Sequence, residues 1–75
     1  MPAQVTIDNV DKSILLALSE IGRPARPREI AERAGIDARR VAAKMRKLRR
    51  LGLVNRVGEG VYVVTEEGKR LIAMH

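Results

Sequence analysis

Between two stretches of helical hydrophobic periodicity, residues 27–34 and 38–51, the chain leaves only Gly35, Ile36 and Asp37. Helices joined by so short a link turn sharply and must pack their inner faces against each other. The residue types suit that geometry. Gly35 supplies the positive φ that reverses a chain in few residues. Asp37 offers a side-chain oxygen to cap the second helix, and Pro27 stands in the first turn of the first. Ile30, Ala31 and Ala34 face inward from residues 27–34. Val41, Met45 and Leu48 fall within about 60° of one another on residues 38–51 and form a single buried stripe. Ala31 permits a close approach, and Ile36 and Val41 fill the wedge between the two helices.

Around this pair the periodicity predicts the rest of the chain. Val10, Ile14, Leu15, Leu18 and Ile21 mark a helix over 9–21, with Asp8 or Asn9 as its cap and Gly22 past its end. Residues 1–8 form an N-terminal arm, in which Val5 and Ile7 alternate, and 22–26 (GRPAR in 22–26) read as a loop. After Gly52 the period changes. Leu53–Val57 and Val61–Thr65 are β-branched-rich runs, predicting a hairpin over 53–65 with Gly58-Glu59-Gly60 as a three-residue loop. Thr65 then caps a short helix over 66–74, held by Leu71 and Ile72. The expected fold class is α+β, mainly α, in one domain over 1–75: a three-helix core, a β-hairpin and a short C-terminal helix.

Charge is segregated along this frame. Residues 23–56 carry twelve basic side chains against Glu29, Glu32 and Asp37, while acidic residues outnumber basic ones on either side. Residues 38–51 hold seven basic side chains and no acidic one. A solvated helix would mix signs to gain i,i+4 pairs, so an unopposed array points to a polyanionic partner. Arginine outnumbers lysine eleven to four, which suits bidentate contacts to phosphate and guanine edges. Glu29 and Glu32 read as local partners of Arg28 and Arg33. The readings of Lys44 and Arg49 stay divided between the core edge and the ligand face.

Other chemistry has little to work with. The 75 residues include no cysteine, and the one histidine is His75. Ser13 and Ser19 have no histidine partner. The expectation is therefore no enzyme, no metal and no cofactor. No apolar run approaches the roughly 18 residues of a membrane span, and residues 1–9 lack the pattern of a secretory leader, so a cytoplasmic, nucleoid-associated protein is expected. Tyr62, the sole aromatic, is expected to pack the hairpin on the body, which disfavours base stacking on single strands.

The residues REIAERAGID over 28–37, then Val41, Leu48 and Gly52-Leu53-Val54, then Arg56 and VYVVTEEGKRL over 61–71, together form the signature of a winged helix-turn-helix. Over about residues 10–72 the chain resembles the winged-helix transcription regulators of bacteria and archaea, notably the MarR-type and ArsR-type families. The resemblance implies double-stranded DNA as partner, with helix 38–51 in the major groove and the hairpin as a wing on the flanking backbone. Carried to this sequence, it implies that Ala38, Arg39 and Arg40 approach base edges or phosphates. Ala43 lets the helix sit deep, Arg46, Lys47 and Arg50 meet phosphate, and Arg28 and Arg56 bind backbone on either side. The chain lacks the long terminal helices and ligand pocket of MarR-type proteins and the cysteine or histidine clusters of ArsR-type sensors, so no small-molecule ligand is expected. A homodimer is expected, with Val5, Ile7, Leu71, Ile72 and Met74 as apolar residues available either to an interface or to the core. A sequence-tolerant chromatin or replication protein, a protein-docking module and an RNA-binding module stay open as alternatives.

Overall fold

In the computed structural model, which describes residues 7–74, Asp8 opens α1 (Asn9–Ile21) by reciprocal capping. Its carboxylate accepts the Asp11 N–H at 2.8 Å, and the Asp11 carboxylate accepts the Asp8 N–H at 3.1 Å. Most of the N-terminal arm, Val5 included, and His75 lie outside the described residues. Helix α2 (Pro27–Ala34) begins at its proline and ends at Gly35, whose φ of 70° is left-handed. The N–H groups of Gly35 and Ile36 both return to the Ala31 carbonyl, so the chain is turned within three residues. Asp37 then caps α3 (Ala38–Arg50), its Oδ1 accepting the Arg39 N–H at 2.8 Å. Helix α3 stops one residue earlier than its periodicity predicts. Gly52 turns the chain at φ 76°, and the Leu53 N–H goes back to the Leu48 carbonyl at 2.9 Å.

The three helices meet over Ile14, Leu15 and Leu18 of α1, Ile30 and Ala31 of α2, and Val41, Met45 and Leu48 of α3, all buried. Leu53 and Val54 close the base of this core where the chain leaves α3. The hairpin consists of β1 (Val54–Gly58) and β2 (Val61–Val64), antiparallel, pairing Val54 with Val64, Asn55 with Val63 and Arg56 with Tyr62. The register then slips, and Gly58 faces Val61. Val57 is left as a bulge, 57% exposed, so the loop is Glu59-Gly60 and not the three residues expected. The extra residue is absorbed inside the strand, where a bulge adds twist. On its other edge β2 is held by Ala25 and Tyr62, which exchange two backbone hydrogen bonds of 2.9 Å. Tyr62, half-buried, packs against the core. The order Ala25, β2, β1 makes β1 the outermost strand.

Helix α4 (Glu66–Ala73) is pinned at its start. The Thr65 hydroxyl accepts the Gly68 N–H at 3.1 Å and donates to the Gly52 carbonyl at 2.7 Å. Gly68 is buried so tightly that a Cβ there would fall on the Leu53 carbonyl oxygen and 2.7 Å from Val64 Cγ2. Ile7, Leu71 and Ile72 pack half-buried against the core. They contribute in part to the core of this chain, whereas Met74 remains 81% exposed. Among the described residues no helix is long and apolar enough to cross a membrane.

An exposed helical glycine replaced by alanine stabilises by about 1 kcal/mol. Gly68→Ala is expected to do the reverse, lowering stability by about 1–3 kcal/mol through overpacking against a backbone that cannot yield. Urea denaturation of the two proteins measures it.

Candidate nucleic-acid interface

The cations of α3 divide into two flanks around one outward face, because seven basic residues in thirteen leave only the Val41, Met45 and Leu48 stripe to the core. On the first flank stand Lys44 and Lys47, one turn apart and turned toward the start of α1. Asp11 waits there, fully buried although charged. Lys47 Nζ donates to Asp11 Oδ2 at 2.6 Å. Lys44 Nζ donates to Asp8 Oδ2 at 2.7 Å and lies 3.6 Å from Asp11 Oδ1, an oxygen with no hydrogen-bond partner among the described residues. Removing such a charge pair from water is costly unless both partners are present, so this cluster ties α3 to α1. Lys47, which the resemblance implies meets phosphate, thus has its ammonium paired with Asp11, with its side chain 31% exposed. Its ammonium is used inside the protein, and Lys44 sits on the core side of the same alternative.

The Lys44 ammonium, hydrogen-bonded to Asp8, is the chief reason that the Asp8 carboxyl is held far below its ordinary 3.8, with the Asp11 N–H adding to the effect. The same hydrogen bond raises the Lys44 ammonium above its ordinary 10.5.

The only cations of the other flank and the outward face are arginines. Arg39, Ala43, Arg46 and Arg50 follow one another along the exposed side of α3, with Arg40 and Arg49 beside them, also exposed. Arg46, Arg49 and Arg50 converge with Val54, Asn55 and Arg56 of β1 on a groove of about 440 Å³. Arg56 lies along the outer strand, its Nε donating to the Gly58 carbonyl at 3.2 Å. Arg49, whose place the sequence left undecided, belongs to this groove, and Asn55 is an addition that sequence reasoning missed. Ala38 differs from expectation in the other direction. It is half-buried and packs in part against the core.

The ion pairs on α2 also differ from the local pairs expected. Glu29 accepts Arg23 from the preceding loop at 2.6 Å, and Arg33 donates to Glu20 of α1 at 3.0 Å. Glu29 and Arg33 each pair with another element, Glu32 forms no ion pair among the described residues, and Arg28 is left exposed at the start of α2. Arg26 donates to the Glu59 carbonyl at 3.4 Å, bracing the hairpin tip against α2. Of the twelve basic residues between 23 and 56, Arg23, Arg33, Lys44 and Lys47 form ion pairs. The remaining eight are all arginines, and none meets a carboxylate among the described residues. Among the described residues there is also no cluster of three or more potential metal ligands. Exposed guanidiniums side by side present forked N–H donors to oxygen acceptors, which is the geometry of phosphate and guanine recognition.

A winged helix-turn-helix DNA-binding family matches residues 7–55, about two thirds of the chain. The chain belongs to that family. The match is to this broad family and not to the MarR-type or ArsR-type branch that the residues resemble. No curated protein matches the chain. Among solved structures, an O-methyltransferase from neocarzinostatin biosynthesis, in complex with S-adenosyl-L-homocysteine, is similar at 33% identity and a TM-score of 0.69. The likeness covers 88% of this chain and 22% of that enzyme, so the chain spans about a fifth of the enzyme's length. The expectation that the chain has no enzymatic role is overturned by this match, because a unit so similar is part of an enzyme.

Two substitutions test the lysine flank. Lys47→Met leaves the buried Asp11 with only the more distant Lys44, and is expected to cost on the order of 3 kcal/mol in urea denaturation. For Asp8, the folded-state value lies below the unfolded one, so its stabilisation is full above about pH 4 and is lost as pH falls toward the folded value. For Lys44 the order is reversed, and its share is full below the ordinary 10.5 and lost as pH rises through the folded value. The thermal midpoint is therefore expected to fall between about pH 5 and pH 2, and to fall less steeply in Asp8→Asn, which keeps a capping side chain.

Proposed function

We propose, from family membership and the unpaired arginine face, that the protein binds double-stranded DNA as a transcription regulator of a prokaryote or one of its viruses or plasmids. Helix α3 enters the major groove with Arg39 and Arg40 leading and Ala43 allowing depth. Arg46, Arg49 and Arg50 meet the phosphates along the groove wall. Arg56 of the outer strand and Arg28 at the start of α2 bind backbone on opposite sides of the helix. Glu59, exposed at the hairpin tip, stays clear of phosphate. Two copies act together on the DNA, since one recognition helix reads only one half-site. The observation that carries this reading is the sorting of α3: its lysines are neutralised by Asp8 and Asp11, while every arginine is left outward and unopposed.

A second reading is carried by the methyltransferase match. On that reading the unit serves as a domain of a transferase and contributes to its assembly. A sequence-tolerant chromatin role is a variant of the first reading, marked by a preference over random DNA well below about 10³-fold.

The test is a titration of a mixed-sequence duplex of about 30 base pairs, long enough for two half-sites, across several salt concentrations. Log affinity is expected to fall linearly with log salt, with a slope of about −0.9 for each phosphate contact. Arg46→Ala, Arg49→Ala and Arg50→Ala are each expected to make the slope shallower by roughly one contact. Asp8→Asn, which touches only the lysine flank, is expected to leave it unchanged. Absence of duplex binding even at low salt overturns the regulator reading and leaves the methyltransferase reading standing.

A further inference from the structure

Helix α1 carries one large apolar side chain that its own fold does not use. The stripe Asp11, Ile14, Leu15 and Leu18 enters the interior, and Leu16, on the opposite side of the helix, is 47% exposed. Leu16 forms a ridge between two grooves. One, of about 430 Å³, runs along Asn9, Lys12 and Ser13 to Ile72 of α4. The other, of about 160 Å³, runs along Ser13, Ala17 and Glu20 to Arg33 and Ala34 of α2. Ser13 lines both and is small, so another helix can approach closely there. Lys12 and Glu20 stand four residues before and four residues after Leu16, about 6 Å along the axis in each direction. Lys12 has no ion pair among the described residues, and Glu20 pairs only with the exposed Arg33.

We propose that this face joins two copies of the chain, α1 against α1, antiparallel about a two-fold axis at Leu16. In a two-fold interface residue i of one copy meets j of the other and j meets i. Because Lys12 and Glu20 are equidistant from Leu16, the axis sets Lys12 of each copy against Glu20 of its partner, twice over. The two Leu16 side chains meet on the axis, with Ser13 leaving room beside them. A parallel pairing sets Lys12 against Lys12 and Glu20 against Glu20, which like charges oppose. A partner of unrelated sequence needs no such symmetry about one leucine. None of the arginines of the α3–β1 groove lines either α1 groove, so pairing through α1 leaves the DNA face uncovered. The inference adds the contact surface to the two-copy reading above, and its test needs no DNA.

Sedimentation equilibrium of the whole chain, from micromolar to millimolar concentration, reads the dimer constant. Leu16→Glu, at an exposed site where circular dichroism is expected to report an unchanged fold, should weaken the dimer by at least about tenfold. Lys12→Glu and Glu20→Lys should each weaken it by about three- to tenfold, and the two together should restore it, since the swapped charges face each other again across the axis. A wild-type chain that stays monomeric at millimolar concentration, or a dimer indifferent to Leu16→Glu, overturns the proposal. Loss in both charge variants without rescue in the double overturns the antiparallel register. Leu16→Glu is also expected to keep the salt slope of a single site on duplex DNA, so a failed dimer and a failed DNA reading give different results.

Discussion

The charge cluster at the start of α1 sets the rest of the molecule. Asp11 occupies a position on the apolar stripe of its helix, and its side chain is fully buried. Such a charge is tolerated only with close partners, and Lys47 at 2.6 Å and Lys44 at 3.6 Å supply them from α3. The demand fixes the rotation of α3 about its own axis. With the two lysines drawn toward Asp8 and Asp11, Arg46 and Arg49, each one or two residues from a lysine and so on the other flank of the helix, are carried away from α1. The difference between the two cation types is physical. A lysine ammonium is a point charge on a flexible stem that reaches a buried carboxylate, and a guanidinium is a planar fork suited to oxygens at a surface.

A second constraint holds the wing. The hairpin is short, and a two-stranded hairpin alone is marginal in water. Here it is extended by the backbone pairing of Ala25 with Tyr62, braced by Arg26 at the Glu59 carbonyl, and locked below by Thr65 and Gly68 against Gly52 and Leu53. These ties set β1 beside the C-terminal half of α3, and only that juxtaposition assembles Arg46, Arg49, Arg50 and Arg56 around one groove. The interface is thus a product of packing as much as of composition.

The similarity to part of an O-methyltransferase shows how far a fold carries a functional argument. The same helical core and hairpin serve within an enzyme many times the length of this unit, so architecture alone does not choose between regulator and transferase domain. The distribution of arginine does bear on the choice. A domain kept only for assembly has no need of eight arginines without carboxylate partners, and their mutual repulsion is a cost that a phosphate backbone removes. The apolar ridge at Leu16 lies on the other side of the molecule's chemistry, and suits association in either setting.

By itself the sequence determined the fold class. The 3.6-residue periodicities, the Gly35-Ile36-Asp37 link, the change of period after Gly52 and the Thr65 cap are local signals, each enforced by backbone geometry within a few residues. It also determined that the positive excess lies in residues 23–56, since charge is a property of composition. Tertiary structure decided what depends on neighbours distant along the chain. Asp11 stands at the helical spacing of Ile14, Leu15 and Leu18, but which lysines neutralise it there only the packing of α3 decides. Lys47 reads as outward until Asp11 claims it, 36 residues away. The bulge at Val57 shows only in the register of β1 against β2, and Gly68 is required by a carbonyl fifteen residues earlier. Arg49 joins the arginine face only because β1 folds back beside α3. For Asp11, Lys47 and Gly68 the deciding partner lies fifteen or more residues along the chain, and a periodicity carries no information about it.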